Sequence, residues 1–296
     1  MNKKDEKKNE RQIFNRYAGW RKYVMRGRFL RKAAYFALKP RLKRKIRNWM
    51  QTPSLFSSVE IETINRCNGE CPFCPVNRHD ENRPYALMTE ELFDRIVKQL
   101  GEMGFAGSLS LHSNNEPFLD KRIIDFARRA REVVPLAAIQ IYTNGSLLTE
   151  EKLLQIMPFL DRLVIDNYDD QLQLTEQSKM VLRVCEQKPE LQKKIEIHLR
   201  KVHEVLYTRG GQAPNNDKKE VFHMPCTMPF GQFIIRPDGK ISLCCNDARG
   251  KYTLGDCNVQ RLEEIWFSEG YNEIRRQLAK GRDTLPLCRY CDTFSL

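Results

Sequence analysis

From Phe56 to about Arg200 the chain alternates strand-like and helix-like runs, and no other feature constrains the fold as strongly. Strand candidates are Ser58–Ile64, Ser108–His112, Ala138–Tyr142, Leu163–Asp166 and Lys194–Leu199. Amphipathic helices fall between them, near Thr89–Met103, Asp120–Val133, Thr149–Met157 and Asp170–Gln187. Two helices open on a Thr followed by paired glutamates, Thr89-Glu-Glu91 and Thr149-Glu-Glu151. A threonine hydroxyl accepts an otherwise unpaired amide of the first turn, and carboxylates there meet the positive helix end. Repeated βα units predict an α/β fold, a parallel sheet with helices outside. In such sheets the active site lies at the carboxyl ends of the strands.

The first strand, in Val59-Glu-Ile-Glu-Thr-Ile64, runs into Cys67-Asn-Gly-Glu-Cys71-Pro-Phe-Cys74. The spacing Cys-x3-Cys-x2-Cys supplies three thiolates from one loop. A [4Fe-4S] cluster needs four ligands, so one iron would stay open. A zinc loop is the competing reading, but its usual form pairs Cys-x2-Cys with further nearby ligands.

The stretch resembles the signature of the radical S-adenosylmethionine (radical SAM) enzymes. The resemblance implies a partial (β/α)6 TIM-like barrel whose cluster is held by Cys67, Cys71 and Cys74. It implies that the open iron chelates the amino and carboxylate groups of SAM, and that an external donor such as flavodoxin or ferredoxin supplies the electron for cleavage to a 5′-deoxyadenosyl radical. Phe73 falls where the family carries an aromatic residue. After the second strand, Asn114-Asn115-Glu116 stands where the family has a Gly-Gly-Glu-like motif that receives the SAM amino group, with asparagines in place of the glycines. Thr143-Asn144-Gly145 after the third strand is expected to line the SAM or substrate cavity.

The fourth strand ends in Asp166-Asn-Tyr-Asp-Asp170, and the fifth carries Glu196, His198 and Arg200 at alternate positions. Alternation puts those three on one face. Asp169, His198 and Arg200 are therefore candidates for a substrate pocket, against the plainer reading of a satisfied polar network. Residues 203–222 are polar and contain Gly210-Gly211, and read as a linker or lid.

A second cysteine framework follows. Cys226 and Cys244 bracket a hairpin turning at Pro237-Asp-Gly239, and Cys288-x2-Cys291 closes the chain. By ligands alone, four thiolates suit zinc or [4Fe-4S]. The arrangement resembles the SPASM/twitch extension of radical SAM enzymes, in the shorter form that holds one auxiliary [4Fe-4S] cluster. Three cysteines remain. Cys185 reads as a small core residue. Cys245 is expected on a strand facing away from Cys244. Cys257, near the auxiliary site, is the candidate to return a hydrogen atom to a substrate radical if it faces the barrel mouth, as a cysteine does in some epimerases of this form, with Cys245 the alternative; core packing is the plainer reading of both.

The organisation expected is a basic helical extension over 1–50, a radical SAM barrel over 56–222 and an auxiliary cluster domain over 223–296. Residues 1–50 hold 18 Lys and Arg against 3 Asp and Glu, while the chain as a whole has 50 and 38, so the body is close to neutral. Apolar residues recur at helical spacing (Ile13, Tyr17, Trp20, Val24, then Phe29, Leu30, Ala33, Ala34, Ala37), and Pro40 is expected to break the helix or begin a second. A basic stretch with aromatics on its apolar face suits an anionic membrane surface, through residues 13–50, better than nucleic acid; the alternative is a helix packed on the barrel with its basic face in water. No apolar run approaches the roughly 18 residues of a spanning helix. Ten cysteines in ligand spacings suit metal binding in a reducing cytoplasm, peripheral to the membrane if the basic face binds one.

Small enzymes of this form resemble those that oxidise or epimerise hydroxyl-bearing sugars and cyclitols, and a saccharide-like small molecule, lipid-linked if the basic helix serves a membrane, is the expected substrate. A maturase of ribosomal peptides, and a non-enzymatic Fe–S or zinc protein that binds nucleic acid, are the alternatives.

Overall fold

The structure, a computed structural model, describes residues 28–79, 82–217, 220–221 and 223–293, with 28–36 described as helix backbone alone. The expected recurrence Ile13, Tyr17, Trp20 and Val24 lies outside the described residues.

The alternation becomes five strands, β1 Ser58–Ile61, β2 Ser108–Ser110, β3 Ala138–Thr143, β4 Arg162–Tyr168 and β5 Ile195–Arg200. Helices α2 Glu90–Glu102, α3 Ile123–Val133, α4 Glu150–Ile156 and α5 Glu176–Gln187 connect them, and α1 Arg28–Gln51 precedes β1. Thr89 and Thr149 cap α2 and α4 as expected, each hydroxyl accepting from an amide 3.2 Å away. Such a cap is worth about 1 kcal/mol. Thr175 caps α5 in the same way.

Side-chain alternation gives the sheet two unlike faces. Val59, Ile61, Leu109, Ile139, Ile141, Leu163, Ile165, Ile195 and Ile197 are buried on the outer face and belong to one apolar core with helix residues such as Phe93, Ile96, Phe126 and Leu153. The opposite face is polar, and its residues bond laterally: Gln140 donates to the hydroxyls of Ser108 and Ser110, each at 2.9 Å. A closed barrel of eight strands fills its interior with branched apolar side chains. This sheet stays open and lined with hydrogen-bonding groups.

The sixth parallel strand comes from the C-terminal region. β6 (Gln232–Ile235) pairs in parallel with β1 on the edge away from β2, and β7 (Ile241–Ser242) returns antiparallel beside it. The order is β5-β4-β3-β2-β1-β6-β7. The expected hairpin exists, but its first strand is part of the barrel sheet. Helices α6 (Leu262–Trp266) and α7 (Glu269–Lys280) follow.

Helix α1 runs through Pro40 without a break. A proline inside a helix costs about 3 kcal/mol. Further along, Leu42, Ile46 and Trp49 are buried at helical spacing, and each such side chain is worth about 1.5–3 kcal/mol. Trp49 meets Phe230 and Trp266 edge-on at 5.3 and 6.1 Å. The guanidinium of fully buried Arg275 lies 4.0–4.4 Å from the Trp49, Trp266 and Tyr271 ring centres. This docking lies just before β1 and β6, at the end of the sheet opposite the cysteine loop. Among the described residues no helix is long and apolar enough to cross a membrane.

The stretch expected as a linker or lid is a strap. Thr208 donates its amide to Asp292 at 2.8 Å and its hydroxyl to the Tyr290 carbonyl at 2.6 Å. Arg209, Gly210 and Gly211 all have positive φ, and a side chain at 210 would meet the Leu287 carbonyl at 2.7 Å. The strap therefore ties the mouth of the barrel to the C-terminal cysteine loop.

Candidate active site

The loop after β1 carries Cys67, Cys71 and Cys74, all half-buried. It is folded on itself by its own polar groups. The Gly69 amide donates to the Cys67 sulfur at 3.3 Å, and Asn77 donates to the carbonyls of Cys71 and Cys74 at 3.3 and 3.0 Å. A side-chain carbon at residue 69 would sit 3.3 and 3.8 Å from the Cys67 and Cys71 sulfurs, so both sulfurs turn into the same loop. Burial pushes the Cys67 thiol up to about 12, and the neighbouring Cys71, Cys74 and Glu116 push the same way. Holding thiolates here requires a strongly cationic partner.

Two further loops from the carboxyl ends of the sheet close around the cysteines. Asn144 donates to Asn68 at 3.0 Å. Glu116, 1% exposed, accepts from Phe118 N at 3.1 Å, the Thr143 hydroxyl at 2.7 Å and Asn144 N at 2.8 Å. Its carboxylate is thus engaged as a clamp between the β2 and β3 loops, in contrast to the open acceptor expected from the motif. Gly145, at φ 74°, allows the turn that follows; a β-carbon there would meet Ile165 at 2.8 Å. Asn115 has a buried Nδ2 with no partner, an unmet donor in the expected SAM site. Asn114 points elsewhere: its Nδ2 donates to the Cys245 carbonyl at 3.2 Å and its Oδ1 accepts from Arg209. Phe73 stacks obliquely on Tyr168 at 5.8 Å.

The second framework converges as well. Cys226, Cys244, Cys288 and Cys291 are all buried and line one cavity with Leu243, Leu278 and Arg282. Among the described residues no three Cys, His, Asp or Glu side chains close on a single-ion point. The four buried sulfurs and the cavity they share fit a [4Fe-4S] cluster.

Between the two frameworks lies a polar mouth that sequence reasoning missed. Glu60, on the polar face of β1, accepts from the Ser113 hydroxyl and from Gln232 of β6, both at 2.7 Å. Burial raises its pKa to about 7, against the lowering effects of Ser113, Arg209 and Gln232. Arg209 sits beside it, at φ 51°, donating to the Cys245 carbonyl at 3.1 Å. Gln212 donates to the Asn246 carbonyl at 2.8 Å. Arg209 Nε, Gln212 Oε1 and Asn246 Nδ2 are buried without partners, and buried polar groups rarely stay so. One signal was present: Val59-Glu-Ile-Glu places two acids on one face of a central strand.

The remaining predicted residues separate. Cys245 lies in a turn after β7, not on a strand, and its charge environment is that of Glu60 and Arg209. Cys257 is 0% exposed within the main apolar core, near Arg95 of α2, so it does not face the mouth; burial pushes its thiol up to about 12. Asp169 is spent on a turn, accepting from the amides of Gln171 and Gln173 at 2.9 and 3.0 Å. His198 and Arg200 do face the polar side, but within a network. Arg200 donates to Asp166 at 2.8 Å, and His198 lies 3.3 Å from Asp166 and 3.5 Å from Glu196. Arg162 clasps Glu196 with two bonds of 2.9 Å. Burial alone would raise Asp166; the hydrogen bond from His198 and the Arg200 charge hold it below its ordinary value. His112, missed by sequence reasoning, is kept neutral by burial, its pKa lowered to about 4, and its Nδ1 accepts from the Tyr142 amide at 3.1 Å.

A parallel sheet whose first loop presents three cysteines, with a four-cysteine site joined to its edge, defines a class, and comparison with known proteins agrees. Residues 61–169 match the radical SAM superfamily, and residues 226–292 match the SPASM iron-sulfur cluster-binding domain. The chain belongs to the radical SAM superfamily and carries a C-terminal iron–sulfur cluster-binding domain. Its cofactors are SAM and two [4Fe-4S] clusters. The S-adenosyl-L-methionine-dependent 2-deoxy-scyllo-inosamine dehydrogenase of Niallia circulans is 28% identical over 245 residues, covering 82% of this chain and 95% of that protein. The crystal structure of BtrN in complex with AdoMet and 2-DOIA superimposes with a TM-score of 0.70 at 27% identity, covering 82% of this chain and 95% of that one. AdoMet-bound anSMEcpe, at 14% identity and a TM-score of 0.53 over 79% of this chain and 85% of that one, shares the fold.

Proposed function

We propose that this enzyme is a dehydrogenase that oxidises a secondary hydroxyl of a cyclitol- or sugar-like substrate. In this reading Cys67, Cys71 and Cys74 hold the SAM cluster, and Cys226, Cys244, Cys288 and Cys291 hold the auxiliary one. Asn115, Thr143, Asn144 and Phe73 line the SAM site, and Glu116 keeps its loops in register. When bound, the cofactors supply a 5′-deoxyadenosyl radical to remove the carbinol hydrogen atom and a one-electron acceptor for the electron left behind.

What remains for the protein is the hydroxyl proton, and Glu60 carries this reading. A carboxylate with a pKa of about 7 suits a general base at neutral pH. It stands beside Cys245, the neighbour in sequence of the auxiliary ligand Cys244, so proton and electron leave toward the same side. Arg209 Nε, Gln212 and Asn246 offer unmet groups to a polyhydroxylated ligand. Similarity to the 2-deoxy-scyllo-inosamine dehydrogenase supports an amino-cyclitol as the first substrate to try.

The test is anaerobic incubation with SAM, reductant and 2-deoxy-scyllo-inosamine or related sugars. One ketone formed per 5′-deoxyadenosine is expected. Untouched cyclitols and sugars, alongside conversion of a peptide encoded nearby, would replace this reading with that of a peptide maturase.

The place of Cys245 favours a second reading, epimerisation, in which its thiol returns a hydrogen atom to the substrate carbon. Deuterium from heavy water appearing at that carbon, and disappearing in Cys245→Ala, would select it over oxidation.

We also propose that the basic segment seats the enzyme on an anionic bilayer. Arg41, Lys43, Arg44, Lys45 and Arg47 are exposed on α1 while its apolar stripe is buried in the protein. The face lies at the sheet end away from the cysteine loop, so the mouth would open away from the lipid. Co-sedimentation with phosphatidylglycerol vesicles at low salt, lost on neutralising these five residues, is the expected result. Equal sedimentation of the variant would overturn it.

A further inference from the structure

Arg282 is 2% exposed, yet carries a charge that water would stabilise by many kcal/mol. Its position is fixed at both ends. The backbone amide donates to the Met224 carbonyl at 2.9 Å, and one terminal nitrogen donates to the Cys291 carbonyl at 2.9 Å. The side chain lines the same cavity as Cys226, Cys244, Cys288 and Cys291. An acid also acts on the site: Asp247, whose carboxylate accepts from the amides of Lys251 and Tyr252 at 2.7 and 3.0 Å. Arg282, just past α7, thus lines the cavity of the four cysteines with its guanidinium held at the Cys291 carbonyl.

A cluster held by four thiolates is an anion, and adding an electron makes it a stronger one. Net charge and burial are among the main determinants of its potential. A fixed cation in a low-dielectric cavity favours the reduced state. We propose that Arg282 is a positioning residue that raises the reduction potential of the auxiliary cluster, making it a better acceptor for a single electron. The inference rests on the ligand assignment given above.

The test uses the full chain with Cys67, Cys71 and Cys74 replaced by Ala, so that only the auxiliary site is loaded. Iron is counted, and the midpoint potential is read by an EPR-monitored redox titration, for this parent and for added Arg282→Gln and Arg282→Lys. A parent without iron would reject the ligand assignment itself. About four irons per parent chain, with a lower midpoint in Arg282→Gln and a parent-like midpoint in Arg282→Lys, is the expected result. A Gln variant that takes up no cluster beside a Lys variant with the parent's midpoint supports the same conclusion. Parent-like midpoints in both variants, equal displacement of both, or loss of the cluster from both would overturn it and leave Arg282 as a bracket for the Cys291 carbonyl.

Discussion

Glu60 is under two opposed demands. A base must ionise near neutral pH, whereas its surroundings favour the protonated acid. A carboxyl whose folded pKa is raised binds its proton more tightly in the fold, so its contribution to stability is full below about 4.5 and lost as pH rises through about 7. Glu60→Gln is therefore expected to gain about 1–3 kcal/mol over wild type at pH 8, the lower end if the half-buried group keeps some water, and little at pH 4. Urea unfolding at the two pH values measures this. The same variant should lose about 100-fold or more in ketone formation, while wild-type kcat/KM rises through a pKa of about 7. Glu116, also raised above its ordinary value by burial, is asked only to accept hydrogen bonds. Removing its carboxylate leaves two backbone amides and a hydroxyl without acceptors, each costing about 1–3 kcal/mol when buried. Glu116→Ala should unfold at markedly lower urea and bind SAM weakly by equilibrium dialysis, whereas Glu116→Gln should recover only part of both, because its NH2 would face a donor where the second carboxylate oxygen now accepts.

Among the elements, the cysteine loop is the most separable. Replacing Cys67, Cys71 and Cys74 by Ala should lower reconstituted iron from about eight to about four per chain and abolish 5′-deoxyadenosine formation, since each cubane holds four irons. Helix α1 gives the opposite case, in which packing decides. Pro40→Ala should raise stability by up to about 3 kcal/mol, because it restores a helix hydrogen bond. Trp49→Ala should cost about 3–5 kcal/mol, through the cavity left among Phe230, Trp266 and Arg275. Thermal melts of the two variants should move in opposite directions. The contrast also explains what was legible beforehand. Thr89 and Thr149 announced helix starts because caps act within three residues. Pro40 suggested a break because the force overriding it comes from residues 190 and more positions away.

At the scale of the molecule the same rule holds. The alternation of strands and helices, and both cysteine frameworks, could be read locally and lie where the sequence placed them. The mouth could not, since Glu60, Ser113, Arg209, Gln232 and Cys245 come from four separate stretches and meet through sheet topology. No periodicity reports that β6 lies beside β1. For Cys257, proximity in sequence to the hairpin left a core place and a place at the mouth both open, and the structure puts it in the core. That pairing, Ser58 against Gln232, bears on how the chain is made. A ribosome would release β1 through β3 well before the strand that covers the β1 edge exists. Until then the growing chain presents an unpaired edge, a template for association with other chains, and closing it spans more than 170 residues, a slow event for a contact so distant in sequence. A chain ended at residue 222 should accordingly collect in the insoluble fraction on expression, where light scattering of the refolded material would show assemblies and not monomers. The C-terminal region is then a late fastener of the barrel as well as a cluster carrier, and metal loading at the first cysteine loop should be most efficient only after the last strand has been translated.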